Sequence, residues 1–162
     1  MIIQIKDKNT LIFDSFTFRC CVGKNGFNSN KKEGDLSTPT GLFKLKKLYF
    51  RKDKVGVPQC KLKKKTITKN IGWCDDPYNK NYNKEINIIN RKHKENFYRK
   101  DSIYDYLITI NYNEKRIPKK GSAIFLHITD NYKPTAGCIA LKKKDFLILL
   151  KIINSKTKIK IH

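Results

Sequence analysis

Arginine is scarce in this 162-residue chain: five arginines stand beside 31 lysines. The planar guanidinium fork is the favoured tool for reading phosphates and bases. No helix-turn-helix, RNP-like or zinc-finger pattern occurs either, so no specific nucleic-acid partner is expected despite a formal net charge of +22. Prolines number 5 and glycines 8, too few for a collagenous or low-complexity chain. No apolar run approaches the roughly 20 residues that span a bilayer; the longest near a terminus is Phe146 to Leu150. No membrane span is expected. The start, Met-Ile-Ile-Gln-Ile-Lys-Asp-Lys, alternates like a strand and lacks the basic start, apolar core and small-residue cleavage site of a signal peptide. There is no CxxC, no HExxH and no Cys/His cluster, which leaves no motif for a structural zinc. Neither metal nor cofactor is expected.

What the chain has in quantity is lysine, isoleucine and asparagine: 31, 21 and 15 residues, together 67 positions or about 41%. These are the amino acids of A/T-rich codons, so the charge is discounted as a guide to function. At 39% hydrophobic residues the chain is apolar enough to fold as one globular domain, residues 1–162, and a monomer is expected. Cysteines 20, 21, 60, 74 and 138 form an odd set without repeated spacing. That suits a reducing compartment, or one thiol with a chemical task.

Hydrophobic period divides the chain. Ile3 and Ile5, Leu11 and Phe13, then Phe16 and Phe18 alternate around a turn at Asp7-Lys8-Asn9, the pattern of a hairpin or meander. Gly23 to Gly41 reads as a long loop, and Leu42 to Phe50 as a strand. Residues 51–102 show no sustained period and read as a functional insertion or an irregular region. Strands follow at Tyr106–Tyr112, Ser122–Ile128 and Gly137–Leu141, and a closing one at Thr157–Ile161. Lys142–Ile153 is a helix, because Phe146, Leu149, Leu150 and Ile153 fall on one face. The expected fold class is mainly β.

Chemistry concentrates between Gly121 and Leu141. A histidine, His127, ends one apolar strand and a cysteine, Cys138, begins the next, with an eight-residue polar loop between them, Thr129 to Ala136. Neighbouring strands would set the two side by side. A free thiol is only a few per cent thiolate at neutral pH, and an adjacent imidazole can take its proton. Gly137 removes a side chain that would crowd an approaching carbonyl, and backbone N–H groups near Cys138 could cradle an oxyanion.

The pattern Gly121-Ser-Ala-Ile-Phe-Leu-His127 with Pro134-Thr-Ala-Gly-Cys138-Ile-Ala-Leu141 resembles the L,D-transpeptidase catalytic domain, the YkuD-like family, in its single-domain members. A second motif agrees: Glu33-Gly-Asp35-Leu-Ser-Thr38-Pro-Thr-Gly41 is similar to the family's Gly-Asp-x-x-Thr-Pro-x-Gly loop. Weaker matches are Gly72 to Pro77 with Tyr82-Asn83, and Asp101 with Tyr104-Asp105. The resemblance implies a β-sandwich with one or more short helices. It implies Cys138 as nucleophile, His127 as general base and Gly137 as backbone support, acting on peptidoglycan stem peptides through a thioester without a cofactor. Resolution by water would make the enzyme an L,D-carboxypeptidase of muropeptides. The family setting implies the periplasm or cell wall if a leader precedes this chain, and the cytoplasm if the N-terminus is native. Two departures stand out: Ala136 replaces the histidine that many members carry before Gly-Cys, and Ala140 replaces an arginine after it.

Thr135, Asp35, Thr38 and Trp73 are the expected substrate-binding residues, although a Gly-Asp…Pro-Thr-Gly run is also ordinary turn chemistry and Trp73 with Tyr78 and Tyr82 could equally cap a core. His93 lies among charges and reads as a solvated surface residue. Cys20, Cys21, Cys60 and Cys74 have no neighbouring motif. The lysine runs at 63–65 and 142–144 read as solvated faces, the second close enough to the site to attract an anionic substrate. The rival from another class is a basic module for nucleic acid or another anionic polymer, which would show steep salt dependence.

Overall fold

The computed structural model describes residues 1–89 and 94–162; His93 lies outside the described residues. In chain order the elements are β1 (Ile2–Asp7), β2 (Thr10–Phe13), β3 (Phe16–Cys21), β4 (Phe27–Asn28), β5 (Thr38–Pro39), β6 (Gly41–Phe50), β7 (Lys63–Thr66), β8 (Ile71–Trp73), β9 (Glu85–Asn87), β10 (Glu95–Asn96), β11 (Tyr106–Ile110), β12 (Phe125–Ile128), β13 (Ile139–Leu141), α1 (Lys143–Ile152) and β14 (Lys158–Ile161). The architecture is mainly β.

The first three strands form the expected antiparallel meander. Their alternation works as the pleat demands: Ile3, Ile5, Leu11, Phe13, Phe18 and Cys20 point inward and are buried. β14 adds in parallel to β1, with Ile159 and Ile161 on the same inner face, and pairs antiparallel with β6. Two strands then change partners along their length. Phe16 to Arg19 of β3 pair with β2, whereas Cys20 and Cys21 pair with β13. Gly41 to Lys44 of β6 pair with β14, whereas Leu45 to Phe50 pair with β11. The order β11-β12-β13-β3-β2-β1-β14-β6 therefore returns to β11, and β7 lies outside this cycle, parallel to β6. The two layers of the sandwich are joined along both sides by strands that belong to each.

α1 supplies Phe146, Leu149 and Leu150 to the interior, all fully buried, with Ile153 beyond its last turn. Asp145 in its first turn and Lys151 in its last match the sign of the helix dipole.

β11, β12 and β13 are buried at every position. Both of their faces are covered, so their sequences run apolar without alternation. Leu126, Ile128, Ile139 and Leu141 face the sandwich interior. Leu107, Phe125 and Cys138 face outward into a second cluster, closed by Tyr49, Ile67, Phe97 and Tyr104. The region expected to be an insertion or irregular thus does a definite packing task. It carries short strands, including the three-stranded sheet β10-β8-β9, and lays Phe97 at the centre of an aromatic group with Tyr49, Trp73, Tyr104 and Phe125, ring centroids 5.2–6.2 Å from its own.

Candidate active site

β12 and β13 run parallel, with His127 opposite Ala140 and Leu126 opposite Ile139. Cys138 precedes Ala140 by two residues, so the pleat turns it to the face that carries His127. The Cys138 thiol and the His127 imidazole are diagonal neighbours on the outer face of the sheet, beneath the layer built by the middle of the chain. Both side chains are nearly enclosed: Cys138 is 9% exposed and His127 7%.

The His127 tautomer follows from its hydrogen bond. Nδ1 lies 2.9 Å from the carbonyl of Ile128; a carbonyl only accepts, so Nδ1 carries the proton and Nε2 keeps its lone pair. Burial holds the imidazole's pKa down at about 4, against the Ile128 contact, which favours the charged form. It is neutral and able to accept a proton. Burial also pushes the Cys138 thiol up to about 12; a hydrogen bond from the Phe125 amide lowers it, as does the charge of Lys31, while Glu95 raises it. The thiol donates to the carbonyl of Ala123 at 3.2 Å and accepts the Phe125 N–H at 3.4 Å. The resting pair is thiol and neutral imidazole, with the thiol proton directed at a backbone oxygen.

The loop before Cys138 is fixed by contacts that only glycine and small hydroxyl side chains allow. Gly137 has φ +144°, and a Cβ there would meet the Ser37 carbonyl at 2.7 Å. Thr135 Oγ1 donates to the Cys138 carbonyl at 2.6 Å and accepts the Gly137 N–H at 3.0 Å. Thr38, with no exposed surface, donates to the Gly137 carbonyl at 2.8 Å and accepts the Gly23 N–H at 2.8 Å. Asp35 accepts from Lys31 Nζ at 2.6 Å and from the amides of Lys32 and Ser37 at 2.8 and 3.0 Å. Desolvation raises its pKa, but these donors outweigh it and hold the carboxyl well below the usual range.

Of the residues singled out from the sequence, the structure thus brings Cys138, His127, Gly137 and Thr135 to one cleft of about 240 Å³. Asp35 and Thr38 stand behind its wall with their polar atoms engaged. Trp73 lines a different groove, with Lys46, Tyr49 and Arg116. It nevertheless connects to the site: its Nε1 donates to Asn83 Oδ1 at 2.8 Å, and that oxygen also accepts the amide of Ala123, whose carbonyl receives the thiol proton.

The same cleft contains Lys31 and Glu95, which sequence reading did not mark, and Glu33, Asp75 and Tyr104, which it met only inside motif matches and gave no role. The Tyr104 ring meets the His127 ring edge-on at 5.3 Å, and its hydroxyl donates to Glu95 Oε1 at 2.8 Å. Burial raises the Glu95 carboxyl above its ordinary value, the Asp75 charge adding to the effect. A second cleft of about 290 Å³ opens on the other side of His127, lined by Arg99, Asn131, Lys133 and Pro134, and shares His127, Tyr104, Thr135 and Ala136 with the first. Tyr104 lay inside a weak sequence match; nothing in the sequence marked Lys31 or Glu95. Among the described residues no group of three or more His, Cys, Asp or Glu side chains is placed to hold a metal ion, and no helix is long and apolar enough to cross a membrane.

No curated protein matches the sequence. Among solved structures the chain is similar to that of Bdellovibrio bacteriovorus Bd1075, with a TM-score of 0.52 and 17% identity over 99% of this chain. This chain spans 47% of that one, and at this identity the likeness speaks for the fold. The family model of the L,D-transpeptidase catalytic domain matches residues 2–161. With that match running nearly end to end, over the sheet face that carries Cys138 and His127, the chain belongs to the YkuD family of L,D-transpeptidase catalytic domains.

Proposed function

We propose that the protein is a cysteine L,D-transpeptidase acting on peptidoglycan stem peptides, the substrate class of its family. The observation that carries this reading is the placement of Cys138 and His127 on one face of paired parallel strands, with the imidazole proton held on Nδ1. His127 Nε2 takes the thiol proton as Sγ attacks the carbonyl that joins a meso-diaminopimelate to a terminal D-alanine. The S–C bond forms and the carbonyl π pair moves to oxygen. On collapse the C–N bond breaks, the imidazolium protonates the departing D-alanine amine, and a thioester remains on Cys138. An acceptor amine then attacks the thioester, giving its proton to His127 and returning the thiol.

The two clefts that share His127 and Tyr104 support transfer to an amine over hydrolysis, since a donor acyl group held on Cys138 in the first leaves the second for an acceptor whose amine attacks the thioester carbonyl. The test is an acyl-enzyme trap read by intact mass: a carbapenem, or a tetrapeptide donor ending in D-alanine, should add to the wild type and not to Cys138→Ala. His127→Gln should slow addition by roughly 10²–10⁴-fold. With an acceptor amine present, a cross-linked peptide is expected; tripeptide and free D-alanine alone would make the protein an L,D-carboxypeptidase. An adduct that persists in Cys138→Ala would overturn the assignment.

A further inference from the structure

A lysine side chain is buried beside the nucleophile. Lys31 is 3% exposed at its side chain. Its stem packs against Gly121, where an added Cβ would meet Lys31 Cε at 3.1 Å, and its Nζ would lie 3.6 Å from a Cβ added at Gly137, the neighbour of Cys138. Burying an ammonium is costly unless its charge is used. Two of its three N–H groups are engaged, by Asp35 Oδ1 at 2.6 Å and by the Lys32 carbonyl at 3.3 Å. The third meets no acceptor among the described residues. Asp35 does not line the cleft, whereas Lys31 does, so the cation stands between its counter-ion and the reaction centre.

The backbone beside the nucleophile has few donors left to offer. The Gly137 N–H is spent on Thr135 and the Phe125 N–H on Sγ itself, which leaves the Cys138 N–H as the backbone donor next to the nucleophile. Ala140 leaves the strand after the cysteine without a cation, and among the described residues Lys31 is the one lysine or arginine that lines the cleft.

We infer that Lys31 is a catalytic residue of acylation: its free N–H and charge stabilise the negative charge that develops at Cys138, on sulfur as the proton leaves and on the carbonyl oxygen in the tetrahedral intermediate. Asp35 positions it and tempers its charge. The role on oxygen rests on the acyl-transfer reading above; the role on sulfur does not.

Two readouts separate these. The first is the pH dependence of Cys138 alkylation by iodoacetamide, followed at that residue by peptide mass and blanked with Cys138→Ala; the second is the rate of acylation by the tetrapeptide donor. The groups that face the thiol are Lys31, Glu95, Tyr104, His127 and Cys21, with Glu33 and Asp75 also in the cleft, and all are unchanged except the one replaced. Lys31→Met should displace the alkylation profile to higher pH and slow acylation by about 100-fold, the scale of losing one oxyanion donor. Lys31→Arg keeps the charge and should displace the alkylation profile and slow acylation less than Lys31→Met, the broader guanidinium fitting the enclosed slot less well. Asp35→Asn removes the counter-charge and should displace the alkylation profile the other way, to lower pH. A purely structural clamp predicts equal damage from Lys31→Met and Asp35→Asn, with no displacement of opposite sign, and that result overturns the inference. Opposite displacements in a wild type that takes no acyl group would retain Lys31 as the thiol's charge partner and remove the proposed activity instead.

Discussion

Buried, and with the Arg99 charge also opposing protonation, His127 binds its proton only below about 4 in the folded protein, against an ordinary value of 6.5. Between those two values the unfolded chain binds more protons than the folded one, so stability rises with pH across that window and is lost as pH falls through it. The urea midpoint of the wild type should therefore drop between pH 7 and pH 5 by more than that of His127→Gln. Parallel midpoint-against-pH slopes in the two proteins would mean that the imidazole is solvated. The same desolvation explains why the resting pair is neutral: separating charge in an enclosed site is unfavourable until a substrate carbonyl is present to receive the electrons.

At the level of elements, the β8–β10 contact governs the roof of the site. A Cβ on Gly72 would meet Ile88 Cγ2 at 2.3 Å and the Glu95 carbonyl at 2.6 Å, so Gly72→Ala must push β10 away from β8 and carry Glu95 off Tyr104. The expected cost is about 1–3 kcal/mol, with a marked loss of acylation rate. Leu149→Ala, in the fully buried face of α1, should cost about 2–5 kcal/mol and leave the acylation rate near that of wild type at temperatures where it stays folded. Denaturation curves and rates measured on both proteins check the pair; equal rate losses would mean that the roof has no separate role. These elements also show what could be read beforehand. Ile3, Ile5, Leu11, Phe13 and Phe18 alternate, and Phe146, Leu149 and Leu150 recur at helical spacing, because each segment has one buried and one wet face. β7 to β10 have two to four residues each, too few to express a period, and exist through partners distant in sequence. Cys138 and His127 were legible because one short loop joins them. Lys31 was not, being one of 31 lysines and placed at the site only by the docking of its loop against Thr135 and Gly137.

For the whole molecule, a net charge of +22 is a self-repulsion that folding concentrates. The described ion pairs recover little of it, because Lys46–Glu114 is exposed and others, such as Lys47–Glu85 and Arg99–Asp101, are partly so. Thermal stability should rise when sodium chloride is raised from about 10 mM to about 500 mM, as the screening length falls from roughly 30 Å toward a few ångströms; a midpoint unmoved by salt would show that the lysines are too widely spread to repel. One part of that charge has a more local consequence. The strand cycle leaves β7 as the open margin of the large sheet, and its sequence is Lys63-Lys64-Lys65-Thr66. An unpaired margin is a template on which another chain can add and begin to aggregate, and lysines are a common guard against it. What reads in the sequence as a compositional accident thus guards the open edge of the large sheet against a second copy zipping onto it.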